Sequence, residues 1–479
     1  MRSRWFMFAT TFLLALMVGV AIARGPMVIA LAPIAAIVTV ALAMSDVAVL
    51  SVILLSTSFL VHPYAFRIGE LGSVSPSIGE VGVVVATAAA VLSTISRPRK
   101  RLRLGTNDLL IALLMLTIIF GFVRAQYFGV NLRYAVLAAR SNVFFMAYFA
   151  VRLSVTDRTT VLRLARLVGG LVIIASVASV GQAYAGESAR FFLVGNLPEF
   201  LRSETAGQLM RVRPPSLTLS YVASCFAASA LAFGVKGGRS RTFAAIVLCA
   251  GMATIALSLN RNMFLGLGAG LLLTLASTRD WRATTRVVSS LGAILIGAVA
   301  PLWAYFSGVG WFSRILSIGD YASLASGTLA DRFYENGLAL AAIQASPVLG
   351  IGWGVDYGAR YVTSVEGFVV SDPRLWIHNQ YLGLWLRIGL LGLLSMLLLL
   401  ASGVRQGVDV ARLRCQDSWI GAGAAVALIA LASSALVGMY FSYGESIVPL
   451  CLVLGVAQFV WHEYVGVRVA EVPGELHAV

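Results

Sequence analysis

Four short segments carry the side chains able to do chemistry: Arg211-Val-Arg213-Pro-Pro, Ser258-Leu-Asn-Arg261-Asn, Asp331-Arg332-Phe-Tyr-Glu335-Asn, and Trp376-Ile-His378-Asn379-Gln-Tyr. Arginine is always charged and grips phosphate with a two-pronged fork of donors. Arg261 stands between two apolar runs with almost no loop to carry it, so it must sit at or within a bilayer surface. A charge there either faces a wet cavity or snorkels to the headgroups. His378 opens an apolar run. A neutral imidazole at such a position suits a general base near neutral pH, or simply caps the helix. Arg332 and Glu335 are spaced i, i+3 and either pair on a helix face or serve a site. Arg211 and Arg213 read as phosphate ligands or as headgroup contacts. Taken together, these places offer several fixed positive charges and one base. That set suits holding a lipid-linked pyrophosphate while an acceptor hydroxyl is deprotonated.

The elements that position them are membrane spans. Of 479 residues, 59% are hydrophobic and 12% charged, with a mean hydropathy of +0.87; a soluble domain carries about 25% charged residues. Apolar runs of roughly 20 residues predict helices near 5–23, 27–44, 47–62, 78–96, 107–124, 134–152, 166–184, 216–234, 243–259, 262–277, 287–305, 379–400, 420–439 and 444–461. The predicted fold class is all-α: a polytopic transmembrane helix bundle of about 12–14 spans with a large, partly helical periplasmic loop. Residues 1–479 read as a single integral membrane domain, with 306–378 as the outer loop capping it. Arg2 and Arg4 precede an apolar stretch ending in Ala21-Ile-Ala23, which resembles a signal-peptidase site. Its length favours an uncleaved first span.

The formal charge of +15 writes topology rather than nucleic-acid binding. With the N-terminus inside, the loops holding Arg97–Arg103, Leu153–Arg166, Lys236–Arg241, Arg279–Arg286 and Arg405–Arg414 all fall on the cytoplasmic side, as the positive-inside rule requires. The four candidate segments then fall on the opposite, periplasmic face of a bacterial inner membrane. Cys225, Cys249, Cys415 and Cys451 lie outside the candidate outer loops, so no disulfide framework is expected. No Cys/His cluster has zinc spacing. Pro347-Val-Leu-Gly350-Ile-Gly352-Trp-Gly354 is glycine-rich but lacks a βαβ context, and reads as a tight turn after a helix.

Arg332-Phe-Tyr-Glu-Asn-Gly, Pro347-Val-Leu-Gly350-Ile-Gly352, His378-Asn379-Gln380-Tyr381-Leu382 and Arg387-Ile-Gly389-Leu-Leu-Gly392 resemble, in order and spacing, the bacterial O-antigen ligase and polymerase family. Ser258-Leu-Asn-Arg261 and Arg213-Pro-Pro resemble its upstream arginine segments. The specific likeness spans about residues 210–395. Arg387 departs from it, standing where many relatives show an acidic residue. The resemblance implies a metal-independent glycosyltransferase without cofactor. Its donor would be an undecaprenyl-pyrophosphate-linked glycan, and its acceptor a glycan or lipid A-core. Membrane lipids and other polysaccharide-assembly proteins would be its further partners. Arg261, Arg332 and, less securely, Arg213 would engage the pyrophosphate, and His378 would activate the acceptor. Glu335, Asn379 and Arg211 are supporting positions. Polymerisation of repeat units is the first reading, ligation of finished glycan to lipid A-core the second. A non-enzymatic polysaccharide or lipid transporter is the alternative from another class; it fits less well, because transporters place binding groups near the midplane of repeated halves.

Overall fold

The computed structural model describes residues 46–57, 76–96, 104–185, 191–192, 201–203, 210–235, 237–258, 260–279, 285–286, 328–358, 377–438 and 440–466. The spans expected at 5–23, 27–44 and 287–305 lie outside these residues. Within them the chain is a helix bundle: α1 Asp46–Thr57, α2 Ile78–Ser96, α3 Thr106–Tyr127, α4 Leu132–Ala139, a 3₁₀ segment Arg140–Met146, α5 Ala147–Ser154 and α6 Arg158–Ala185. After a two-stranded antiparallel ribbon (β1 Leu201–Ser203, β2 Met210–Val212, with Arg202 opposite Arg211) come α7 Leu217–Ala232, α8 Gly238–Leu257 and α9 Arg261–Thr278. Then follow α10 Thr328–Ala345, α11 Gln380–Arg412, α12 Ser418–Ser434 and α13 Gly444–Trp461. Seven helical stretches are long and apolar enough to cross a membrane, and four shorter apolar helices accompany them among the described residues. The chain is a multi-pass membrane protein.

Local chemistry explains several helix starts. Ser77 and Glu80 form a reciprocal cap before α2: Glu80 Oε2 accepts from the Ser77 backbone at 2.7 Å, and Ser77 Oγ accepts from the Glu80 backbone at 3.3 Å. Asp157 Oδ1 accepts from the Thr160 backbone at 2.6 Å and starts α6. Small residues let the helices close on one another, as they must where lipid supplies no hydrophobic drive. Gly407 of α11 and Gly421 of α12 face one another so tightly that a Cβ on either would come within 2.7 Å of the other's carbonyl. α12 and α13 are buried along almost their whole length and form the hub.

Two polar ends bracket this core. At one, Asn107 Nδ2 donates to Gln406 Oε1 (2.9 Å) and Gln406 Nε2 to Gln458 Oε1 (2.9 Å). At the same end Arg158 grips Asp417 at 2.6 and 2.9 Å, and Tyr464 donates to the same carboxylate. At the other end the starts of α9 and α11 meet the end of α12: Ser434 Oγ donates to the Asn262 carbonyl (3.3 Å) and Gln380 N to the Ala435 carbonyl (3.1 Å). Among the described residues, Arg158 and Arg412, which the basic loops put on one side, both lie at the first of these ends. The helices run further than the hydropathy, however. α6 begins at Arg158 and takes up most of the expected 153–166 loop, and α11 continues to Arg412 through the expected 405–414 loop. Arginine is a good helix former, so a helix leaving the bilayer has no reason to stop at its first charge.

Candidate functional site

The site is built where α10, the turn after it and the start of α11 come together. α10 carries Arg332 and Glu335. Arg332 is half-buried, whereas Glu335 is fully buried. A carboxylate in such a place must find donors, and Glu335 finds three. Oε1 accepts from the Tyr357 hydroxyl at 3.1 Å. Oε2 accepts from the His378 backbone N–H at 3.0 Å and lies 2.9 Å from His378 Nδ1. The side chain therefore reaches across to the next element instead of back along its helix, and the surface pairing with Arg332 that the i, i+3 spacing allows is not what Glu335 makes. Because an ionised carboxylate only accepts, this contact puts the ring proton on Nδ1 and makes Nε2 the basic nitrogen.

His378 stands two residues before α11. The cap itself is Asn379, whose side-chain oxygen accepts from the backbone of Tyr381 (3.1 Å) and Leu382 (3.2 Å). That removes the capping role as an account of His378. Asn379 fixes where the helix begins, and Glu335 fixes both the backbone and the ring of the residue before it. The His378 side chain is 30% exposed, against 1% for Glu335. The imidazole is thus partly exposed and anchored at Nδ1 by Glu335.

The turn between α10 and this pair is shaped by its glycines. Gly350 N donates to the Ser346 carbonyl at 3.0 Å, and Gly350, Gly352 and Gly354 all have φ between 70° and 93°. This is the tight turn that its composition predicts. It lies against α11 and α3: Trp353 Nε1 donates to the Ile118 carbonyl (3.1 Å), and Arg124 Nη2 reaches Ser346 Oγ (3.3 Å) and the Gly350 carbonyl (3.5 Å).

The arginines separate into groups. Arg332 lies on the helix that supplies Glu335, one turn before it. Arg261 opens α9; its backbone is at the same end of the bundle as His378, linked through Ser434 and Ala435 to Gln380, and its side chain lies outside the described residues. Arg213 is exposed on the segment leading into α7. That helix shares the same end, since Tyr221 OH lies 3.2 Å from Ser434 Oγ. Arg211 is in β2, with its side chain likewise outside the description. Arg387, the position that departs from the family pattern, is 3% exposed and donates from Nη1 to the carbonyls of Gly352 (3.3 Å) and Val355 (2.5 Å). Tyr357 is the residue that sequence reasoning missed. A lone tyrosine in a turn has no spacing that announces a partner on a helix 22 positions earlier. No group of three His, Cys, Asp or Glu side chains able to hold a metal occurs among the described residues.

Residues 243–397 match the family model described as O-antigen ligase. Arg261, Arg332, Glu335, Tyr357, His378, Asn379 and Arg387 all lie inside the matched region, and Arg211 and Arg213 outside it. No curated protein matches the chain.

Proposed function

We propose, from the O-antigen ligase domain formed by residues 243–397, that this membrane protein transfers glycan from an undecaprenyl-pyrophosphate donor to an acceptor hydroxyl, and that His378 is its general base. The domain supports glycan transfer of the ligase and polymerase type. The observation that carries the finer reading is the His378–Glu335 pair: a partly open imidazole whose Nδ1 side is held by a buried carboxylate at 2.9 Å.

In this reading Nε2 takes the proton of the acceptor hydroxyl as its oxygen attacks the anomeric carbon of the donor. The bond from that carbon to the pyrophosphate oxygen breaks, and undecaprenyl pyrophosphate leaves with the electron pair. Glu335 stabilises the imidazolium that forms, and it does so without taking the proton itself. Arg332 and Arg261 stabilise the charge that grows on the departing pyrophosphate, with Arg213 contributing at the approach. Fixed guanidinium charges then do what a divalent cation does in many phosphate-handling enzymes, and no cofactor is required. In this reading α10 and the turn after it face the periplasmic side of the inner membrane. Binding groups gathered at one end of a bundle favour an enzyme over a transporter with a midplane site.

We adopt polymerisation of repeat units as the activity; ligation to lipid A-core uses the same donor chemistry. The test is purified protein in lipid nanodiscs, given a defined undecaprenyl-pyrophosphate oligosaccharide with and without lipid A-core. A ladder of chain lengths without the core supports polymerisation, and a single shifted core band replaces it with ligation. His378→Ala and Arg332→Ala should each lose transfer by a factor of about 10³ or more while inserting normally. Transfer at the parental rate by either variant overturns the assigned role.

A further inference from the structure

We infer that Arg387 and Tyr357 are positioning residues for transfer, holding Glu335 against His378 through a turn docked into a break in α11; this rests on the reading of His378 as the base.

The break is at Gly389, where φ is 73° and ψ −174° inside an otherwise helical run. In an unbroken helix the Leu386 carbonyl would accept from Leu390 N, and the Arg387 carbonyl from residue 391. Here the turn after α10 supplies other partners. Ile351 N donates to the Leu386 carbonyl at 2.7 Å, Gly352 N donates to the Arg387 carbonyl at 3.1 Å, and Leu390 N donates to the Val348 carbonyl at 3.0 Å. The turn thus completes the backbone bonding that the break leaves open. Close approach is what demands glycine on both sides: a Cβ on Gly350 would stand 2.6 Å from Gly389 N, and one on Gly389 would stand 2.1 Å from the Val348 carbonyl.

Arg387 then acts on the far side of the same turn. Its Nη1 bridges the Gly352 and Val355 carbonyls, fixing the chain on its way into Tyr357. Its guanidinium carbon lies 5.6 Å from the centre of the Tyr357 ring. A cation on the face of a phenol is attracted to the ring and draws electron density from it, which makes the hydroxyl a stronger donor. That hydroxyl donates to Glu335 Oε1, and Oε2 of the same carboxylate holds His378. The row runs from Arg387 through Tyr357 and Glu335 to His378. Both of its ends are set by α11, so the base is locked to its own helix through two other segments. A buried arginine opposite a buried carboxylate, with a phenol between them, is a costly arrangement in a membrane protein. Anchoring a turn would need only carbonyl contacts; placing the cation on the ring whose hydroxyl holds Glu335 is what the positioning role adds.

The experiment measures kcat and KM for the donor in nanodisc-embedded full-length protein. Tyr357→Phe removes one hydrogen bond and leaves the turn's backbone contacts in place; it should lower kcat about tenfold with KM changed less than about twofold. Arg387→Met should lose at least as much, and Arg387→Lys, which can still donate to both carbonyls, should recover part of it. In a Glu335→Ala background Tyr357→Phe should cost nothing further in kcat, because the side chain it acts through is already gone. If Arg387→Met fails to fold, Tyr357→Phe and the double variant still decide. Parental kcat for Tyr357→Phe, a loss confined to KM, or fully additive losses in the double variant would each overturn the inference. If His378→Ala itself transfers glycan normally, the fault lies in the reading of the base; if His378→Ala is inactive and Tyr357→Phe is unaffected, the base stands and only this row falls.

Discussion

Glu335→Gln isolates the charge of the site with little change of shape. Glu335 Oε2 serves two donors on His378, the backbone at 3.0 Å and the ring at 2.9 Å, and Oε1 serves Tyr357 at 3.1 Å. A glutamine amide has one acceptor oxygen and one donor nitrogen. The backbone N–H of residue 378 cannot become an acceptor, so the oxygen must stay on the histidine side and the NH₂ must turn to the Tyr357 oxygen. Nδ1 keeps its proton and the tautomer is unchanged, while the Tyr357 oxygen turns from donor to acceptor. What is lost is the charge. A hydrogen bond to an ionised group contributes about 1.5–3 kcal/mol, against about 0.5–1.5 for a neutral one. The difference grows as the imidazole takes up its proton in the transition state. We expect about 2–3 kcal/mol of lost transition-state stabilisation, or roughly 30- to 150-fold in kcat, with donor KM close to parental. The assay is the initial rate of product formation from a defined lipid-linked oligosaccharide, with thermal unfolding of the same preparation as a control for folding. A Glu335→Gln enzyme within twofold of the parental kcat would refute the reasoning, as would a loss expressed only in KM. A loss near 10⁴ would show that the amide sits the other way round and has driven the ring into the wrong tautomer.

Three other outcomes check separate parts of the structure. Gly389→Ala places a Cβ 2.1 Å from the Val348 carbonyl at a φ of 73°; it should destabilise the protein by about 2–4 kcal/mol, seen as earlier thermal unfolding by tryptophan fluorescence, and an unchanged transition would contradict the docked turn. Asp417→Asn breaks a pair whose carboxylate is 1% exposed and whose Arg158 is 42% exposed. A fully buried pair costs roughly 3–5 kcal/mol to break, so this half-exposed one should cost about 1–3. The transfer rate per folded molecule should be unchanged, because the pair lies at the end away from His378, and a selective loss of activity would argue against that separation. Finally, treatment with a chelator should leave transfer unaffected, whereas strong inhibition restored by magnesium would reveal a carboxylate site that carries part of the reaction.

The membrane fold is legible because run length and hydropathy are set by the bilayer itself. α2, α3, α7, α8 and α9 fall within a few residues of their apolar runs, and the basic loops give the alternation of ends. Helix ends beyond the bilayer are not legible that way. Arg163 and Arg166 look like loop residues, yet they continue α6, since leaving the lipid removes the need for apolar side chains without removing the helix. The site divides along a similar line. His378, Arg261 and Arg332 stand out by type and placement, and Asn379 by its position before an apolar run. The partnership that matters does not stand out: Glu335 meets His378 across 43 positions, while its local spacing points to Arg332.

Arg387 is the sharpest case. Against the resembled family pattern it reads as a departure. In the fold it is buried on Tyr357 and the turn carbonyls, and the acid of this neighbourhood is Glu335, on another helix.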